Sequence, residues 1–260
     1  MSTTLLTKSI RDRWVTTTVS TVALLLLALF TMGIYSGFDA QVGALFADLP
    51  DALAAIYGVQ DGTTAGLVVS ALFAVLAPLI ILAYAIPGAS AAATGEERSA
   101  TLDLLLMNPV SRTRVYLTKS GVLAVGIILI CVVLWLGSDW IAAAVGLDLS
   151  GQNTTAACLQ LAGLGLMFAG LALAVGGWTG TALGATVASV VAAFSYLVTT
   201  LLGAVPDFAQ ISKFTPWYLY SGNDPLQSGV SWWALGVMLL AAIVLGAIGA
   251  TGLNRRDLRG

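Results

Sequence analysis

Residues 95–120 read GEERSATLDLLLMNPVSRTRVYLTKS and form a polar island between two long apolar segments. The island holds seven charged residues, namely Glu96, Glu97, Arg98, Asp103, Arg112, Arg114 and Lys119. Placing one charge at the centre of a bilayer costs about 3 kcal/mol, so burying all of them would cost roughly 20 kcal/mol, whereas the leucines at positions 102, 104, 105 and 106 together return only about 2 kcal/mol. The island therefore lies in the aqueous phase.

The composition of the whole chain indicates membrane insertion. Of its 260 residues, 58% are hydrophobic and 9% are charged, and the mean hydropathy is +0.93. Soluble domains carry about 25% charged residues. Because a lipid-exposed backbone must satisfy its own hydrogen bonds, we predict an all-α integral membrane protein.

Uncharged runs of about 20 residues are long enough for a helix to cross about 30 Å of hydrocarbon. Such runs predict a single transmembrane domain, 1–260, with six transmembrane helices at residues 15–35, 64–86, 116–136, 155–175, 181–205 and 232–253. The fourth and fifth helices come from one uncharged run, 149–206, which we divide at its glycine-rich residues 176–180. The polar segment 93–115 connects the second helix to the third.

Basic residues predict the orientation of the six helices. Ten of the eleven lysines and arginines fall in the N-terminal arm, the island or the C-terminal tail, and only Lys213 falls on the opposite side. Because positively charged loops resist translocation, we expect both termini and the island to be cytoplasmic and the chain to lie in the cell membrane. Six aromatic residues would then form a belt at the outer surface: Trp140, Trp217, Tyr218, Tyr220, Trp232 and Trp233.

The N-terminal arm, residues 1–14, allows two interpretations. Leu6, Ile10 and Trp14 recur at helical spacing, which predicts a short cytoplasmic helix lying in the membrane interface. The alternative is a flexible basic anchor that sets the topology. The uncharged stretch 14–38 is longer than the apolar core of a signal peptide, so we expect the segment to be retained.

The residue types that are missing exclude several function classes. The chain has no histidine and no G-x-x-x-x-G-K-[ST] phosphate-binding loop, which excludes histidine catalysis, histidine metal sites and recognisable ATP binding. Acidic residues fall in loops or near helix ends, away from the positions of proton relays and cation sites in secondary transporters. We predict no catalytic residue, no metal and no cofactor on this chain, and no enzyme activity of its own. Cys131 and Cys158 fall in apolar segments and are expected to be buried and reduced.

Polar side chains inside the later helices are candidates for a substrate path: Gln160, Ser195, Tyr196, Thr199 and Thr200. The alternative is that they satisfy hydrogen bonds between helices. Small-residue pairs, Gly180 with Gly184 and Gly246 with Ala250, predict close helix packing. The aromatic-rich segment 207–231 predicts either a cap over an exit or an ordered loop.

Local signals within the island predict a short helix. Thr94 and Glu97 form a capping box, which predicts a helix start. An apolar stripe at i, i+3 and i+4 follows and ends before Pro109: Leu102, Leu105 and Leu106. Ser111 can cap the next helix. The stripe fits equally a helix that lies on the membrane and one that docks on a protein.

The island also resembles a known family. Residues 95–112, GEERSATLDLLLMNPVSR, are similar to the G-E-E-x-x-x-T-L-[DE]-L-L-L-x-x-P-V-S-R signature of ABC-2 type permeases, the membrane subunits of a class of ABC exporters. The resemblance extends to the basic arm, the outer loop DLPDAL (48–53), the six helices, GNDPL (222–226) and NRRDL (254–258). Two features depart from the family pattern: Ser99 replaces a common glycine, and the short loop after the fourth helix has no basic residue.

The resemblance implies a permease subunit of an ATP-binding cassette exporter. It implies that the island forms a cytoplasmic coupling helix that docks on a separate ATPase subunit through nine residues: Glu96, Glu97, Arg98, Thr101, Leu102, Leu105, Leu106, Pro109 and Arg112. Two ATPase subunits, which bind ATP and Mg, and a second permease, identical or homologous, would complete the assembly, and no nucleic acid is involved. The alternative is a membrane scaffold or assembly factor that recruits a cytoplasmic protein without transport.

Overall fold

Long helices dominate the computed structural model, which describes residues 2–36, 64–98, 111–203 and 209–255. Within these ranges every regular element is a helix. In chain order the elements are α1 (Ser2–Ser36), α2 (Thr64–Ala71), the π-helical turn π1 (Leu72–Leu76), α3 (Ala77–Arg98), α4 (Arg112–Val145), α5 (Thr154–Thr179), α6 (Leu183–Leu197), the π-helical turn π2 (Val198–Leu202), α7 (Ala209–Ser212), α8 (Tyr218–Ser221), α9 (Pro225–Ser228) and α10 (Trp232–Arg255).

Six of these helical stretches are long and apolar enough to cross a membrane: Leu5–Ile34, Val68–Thr94, Arg112–Val145, Thr154–Thr179, Leu183–Leu202 and Trp232–Arg255. The second is formed by α2, π1 and α3 together, and the fifth by α6 and π2. The predicted all-α membrane architecture with six transmembrane helices is therefore confirmed.

The N-terminal arm is part of the first transmembrane helix in the structure. α1 runs without a break from Ser2 to Ser36, so the arm is not a separate interfacial helix. No proline or glycine interrupts this stretch before Gly33, and nothing in the local sequence stops the helix. At 1.5 Å per residue a helix of this length is about 52 Å long, well beyond about 30 Å of hydrocarbon.

The predicted capping box at Thr94 is wrong. Thr94 lies inside α3, and its hydroxyl donates to the carbonyl of Ser90 at 2.9 Å. The helix continues past Thr94 as far as Arg98, so no new helix begins at the mouth of the second span. Ser111 does precede the first residue of α4, with extended backbone and no side-chain capping bond. Residues 99–110, with the predicted leucine stripe, lie outside the described residues.

The fourth and fifth spans separate at Gly180. This residue adopts a left-handed conformation with φ of 68°, and its amide donates to the carbonyl of Gly176 at 2.9 Å, which ends α5. The break lies at the C-terminal edge of the predicted interruption. Gly176 and Gly177 remain helical because they pack against other helices and do not form a turn.

α5 is the central helix, and it packs against α3, α4, α6 and α10. A Cβ atom on Gly170 would lie 2.9 Å from the carbonyl oxygen of Ala242, and one on Gly177 would collide with the carbonyl of Gly249. These glycines form a seam in which the backbones of α5 and α10 touch.

The small-residue pairs predicted to pack closely have mixed outcomes. Gly184 does lie against α5, whereas Gly180 caps a helix. A Cβ atom added to Gly246 would meet nothing within 4 Å, so this glycine is not needed for a close approach of two helices. Cys131 and Cys158 are buried and free, as predicted.

Candidate functional site

One end of the bundle carries all the basic residues of the described ranges except Lys213, and we call it the basic end. The start of α4 and the end of α10 meet here, where the Thr113 hydroxyl donates to Asn254 Oδ1 at 3.0 Å. One turn further into the bundle, the Tyr116 hydroxyl donates to the carbonyl of Gly246 at 2.8 Å and the indole of Trp178 donates to that of Ile248 at 3.1 Å. These bonds fix the ends of α4, α5 and α10 to one another.

Four of the nine predicted coupling residues fall within the described residues. Glu96, Glu97 and Arg98 are the last three residues of α3, and Arg112 is the first residue of α4. The remaining five lie outside the described residues: Thr101, Leu102, Leu105, Leu106 and Pro109. The two long helices α3 and α4 thus flank the segment for which a docking role is predicted.

Gln160, the first residue of the predicted substrate path, lies on α5 and is buried. Its side-chain amide donates to the carbonyl of Ser231 at 3.0 Å. Its oxygen Oε1 is buried and has no hydrogen-bond partner among the described residues. Gln160 therefore ties α5 to the start of α10 and keeps one unused acceptor inside the bundle.

The other four predicted path residues lie together on the fifth span. Ser195 is buried, and its hydroxyl donates to the carbonyl of Ala192 within α6 at 3.0 Å. The Thr199 hydroxyl donates to the carbonyl of Ser195 at 2.7 Å. Thr199 also shares a hydrogen bond with the hydroxyl of Thr215, while Tyr196 and Thr200 are half-buried. None of the five lines the two cavities described below. Most of these polar groups serve bonds within or between helices.

The segment 209–231, which we call the cap segment, folds over the end of the bundle opposite the basic end, here named the distal end. It contains α7, α8 and α9 and touches both π-helical turns. The Tyr220 hydroxyl donates to the carbonyl of Phe73 in π1 at 2.6 Å, and Thr215 bonds Thr199 in π2. A third anchor is the Leu226 carbonyl, which accepts from the amide of Asn153 at 2.7 Å. The segment is an ordered cap on the second, fourth and fifth spans.

Two members of the predicted aromatic belt are buried in this cap instead. The ring of Trp217 packs edge-to-face on Tyr196, with centroids 4.9 Å apart, and on Tyr220 at 6.1 Å. Burial raises the pKa of Tyr220 well above its usual value, so the phenol remains a donor at any physiological pH. The belt interpretation is wrong for these two residues. Trp140, Trp232 and Trp233 are each more than 70% exposed, which suits the predicted belt.

No pattern in the amino-acid sequence predicted the two π-helical turns. Each adds a wider turn to a span, and such turns are frequent at functional sites in proteins. π1 and π2 lie in two different spans and both contact the cap segment. Neither LFAVL nor VTTLL carries a proline or glycine that signals a departure from α-helix.

A cavity of about 650 Å³ opens at the distal end between the α4–α5 connection and α9. Polar groups line much of it, and the Thr154 hydroxyl donates to Asp139 at 2.9 Å. At the tip of the connection, the backbone amide of Ser150 donates to Asp148 at 2.9 Å and lowers the pKa of this exposed carboxyl. Within the described spans, acidic residues occur only at Asp12 and Asp139, both near helix ends.

The sequence of the chain matches a known protein family. The model of the family described as multidrug efflux system permease Rv1217c, C-terminal domain, matches residues 7–254, which covers four of the six spans completely and the first and last spans except for their outermost residues. No curated protein matches the chain in a direct sequence comparison. The family match covers nearly the whole chain and agrees with a helical membrane protein that has no acidic residue in the middle of a described span. The chain therefore belongs to this family of efflux permeases, and its role is in transport.

Proposed function

We propose that the chain is the membrane subunit of an ABC-2 type exporter. Two permease chains, identical or homologous, would form the translocation path, and two cytoplasmic ATPase subunits that bind ATP and Mg would drive it. The observation that carries the proposal is the position of the signature segment: it connects α3 to α4 at the basic end of an efflux permease that has no phosphate-binding loop. In this proposal the energy comes from ATP hydrolysis on the ATPase subunits.

The packing of α3 supports a mechanical role for this helix. α3 ends in Glu96, Glu97 and Arg98 at one side of the segment, and it packs against α1, α4, α5 and α6. A displacement of its end would pass along the continuous helix to π1, which the cap segment holds through Tyr220. Docking of residues 96–112 on an ATPase subunit would in this way open or close the distal end.

The cargo that suits this architecture is an amphiphilic small molecule. The relative that gives the family its description is a multidrug efflux permease. Gln160 supplies a buried acceptor without a partner among the described residues, which can receive a hydrogen bond from cargo that passes along α5. Ser195, Tyr196, Thr199 and Thr200 would face the same path when the cap segment moves away.

Coexpression with an ATPase subunit encoded by a neighbouring gene tests the proposal. We expect a copurified complex whose ATP hydrolysis rises when amphiphilic dyes are added. The double variant Leu102→Asp, Leu105→Asp should lower this stimulation about tenfold or more, as expected when charge enters the apolar core of an interface. Leu104→Asp is the control, because it adds a carboxylate to the same segment outside the leucine stripe.

Two results would contradict the proposal. One is a double variant whose ATP hydrolysis responds to dyes as the unmodified complex does. The other is a stable cytoplasmic partner without ATPase activity, which would favour a scaffold that recruits a protein and does not transport. A Gln160→Ala variant adds a separate measurement, since it should change dye efflux in cells without weakening the complex.

A further inference from the structure

A cavity of about 750 Å³ opens between α1 and α3 near the basic end, and Lys119 of α4 stands at its edge. None of the predicted coupling or path residues lines it. It faces sideways from the bundle, because Val15 and Val19 of α1 and Pro87 of α3 are all exposed walls. A sideways cavity in a membrane protein is reached from the lipid phase.

The floor of the cavity is a polar contact between two spans. The Arg13 guanidinium donates to the carbonyl of Gly88, and the hydroxyls of Thr17 and Tyr84 share a hydrogen bond at 2.9 Å. A Cβ atom on Gly88 would collide with the Arg13 side chain, and one on Gly126 would collide with the Tyr84 hydroxyl. Two glycines thus provide the space that Arg13 and Tyr84 occupy, so the arrangement depends on the backbone and is not a chance contact of surface side chains.

The charge of the lining is positive. Three basic side chains, Lys8, Arg13 and Lys119, face the cavity together with a single acidic one, Asp12. The remaining lining combines hydroxyl side chains with an apolar wall that includes Val15, Val19, Ala83 and Ala91. A ligand that fits both parts has an anionic group joined to an apolar chain.

The depth of the cavity matches the headgroup layer of a bilayer. α1 is about 52 Å long, while the hydrocarbon core is about 30 Å thick, so its first turns extend beyond the hydrocarbon. The uncharged residues 15–35 suffice to fill the core, which places Arg13 at its boundary and Val15 and Val19 just inside. The basic groups therefore lie at the level of lipid phosphates, and the apolar wall lies at the level of the first acyl carbons.

We propose that this cavity is a binding site for one anionic membrane phospholipid. The phosphodiester lies among Lys8, Arg13 and Lys119, and an acyl chain lies along Val15 and Val19. The lipid stays with the protein and is distinct from the exported cargo. It couples the first span to the second at the Arg13–Gly88 contact, on the helix that leads into the signature segment.

Lipid retention measured by native mass spectrometry tests the site. The purified full-length protein, with its partner subunit where the two copurify, is offered phosphatidylglycerol or phosphatidylcholine with identical acyl chains. We expect one tightly held phosphatidylglycerol per chain and about fivefold weaker retention for each basic residue removed, in Arg13→Gln and in Lys119→Gln. Ala91→Phe should also displace the lipid, because it fills the cavity and leaves every charge in place.

Arg255→Gln is the matched control: it removes an exposed basic residue at the same end that does not line the cavity. Equal retention of the two lipids, or an equal loss in Arg255→Gln, would overturn the proposal. In a separate experiment the lipid-bound protein is offered inorganic phosphate. Displacement of the lipid by phosphate alone would assign the cavity to a free anion. Displacement by an exported dye would assign it to cargo. If Arg13→Gln does not fold, Lys119→Gln and Ala91→Phe still decide between these outcomes.

Discussion

Gly249 lets α10 approach α5 so closely that no side chain fits between the two backbones. A Cβ atom at this position would collide with the carbonyl of Leu173 and lie 2.5 Å from the Tyr116 hydroxyl. We expect Gly249→Ala to force the helices apart and to destabilise the protein by about 1–3 kcal/mol, the usual cost of overpacking a tight interface. The measurement is the Tm of the purified variant in detergent.

Gly246→Ala is the control for this prediction. The two glycines lie one turn apart on α10, but a Cβ atom at Gly246 meets nothing within 4 Å. The exchange should not lower stability, since alanine favours the helix more than glycine does and the carbonyl of residue 246 remains available to Tyr116. An equal loss of Tm in both variants would mean that glycine itself, and not the close approach, matters on this helix.

Tyr220 is the residue through which the cap segment holds the second span. Its hydroxyl is buried and donates to Phe73 in π1, a carbonyl that a π-helical turn leaves accessible. Tyr220→Phe keeps the ring and its packing on Trp217 but removes the donor. We expect a loss of about 1 kcal/mol, the net contribution of a buried neutral hydrogen bond.

The readout for Tyr220→Phe is again the Tm in detergent, with Tyr218→Phe as the control. Tyr218 lies in the same short helix, and its ring is only half-buried. An unchanged Tm in Tyr220→Phe would show that the bond to Phe73 contributes nothing to the stability of the cap.

At the scale of elements, the cap segment contacts two spans at once, through Tyr220 on π1 and Thr215 on π2. If the segment docks as one body, loosening one contact weakens the other. In a double-mutant cycle with Tyr220→Phe and Thr199→Val, we expect a coupling free energy of about 0.5 kcal/mol or more. The control is a second cycle that combines Tyr220→Phe with Thr200→Val. Additive effects of Tyr220→Phe and Thr199→Val would contradict docking of the cap segment as one unit.

The elements that the sequence predicted well are those fixed by a single physical requirement. Uncharged runs predicted the six spans, because the thickness of the hydrocarbon sets their length. The capping box at Thr94 failed because the same S/T-x-x-E pattern occurs here inside a helix that runs on to Arg98. A local motif carries no information about the length of the helix before it.

The parts of the candidate site that escaped prediction depend on tertiary contacts. Gly176 and Gly177 suggested a turn, but they allow close packing of α5 against α6 and α10. No local sequence pattern distinguishes a glycine that forms a turn from one that packs between helices. Trp217 and Tyr220 suggested a membrane belt, because amphipathic rings suit both an interface and a buried cap. The π-helical turns arise where the cap segment and the spans meet, and five apolar or hydroxyl residues in a row do not predict them.

At the scale of the whole molecule, the even number of spans places both termini at one end, and the basic residues predict that this end is cytoplasmic. Cysteine accessibility in intact cells tests the orientation. Cys131 and Cys158 are buried, so neither native thiol competes for a membrane-impermeant maleimide. Ser111 and Ser150 offer a matched pair: both are exposed serines, and they lie at opposite ends of the α4 span.

We expect Ser150→Cys to react with the maleimide in intact cells and Ser111→Cys to react only after the membrane is permeabilised. The physical reason is the cost of translocating Arg112, Arg114 and Lys119, which follow Ser111 directly, compared with the single acidic residue near Ser150. The reverse pattern would place the signature segment outside the cell, away from any cytoplasmic ATPase, and would remove the basis of the exporter proposal. Labelling of both residues in intact cells would show that the bundle does not span the membrane in this arrangement.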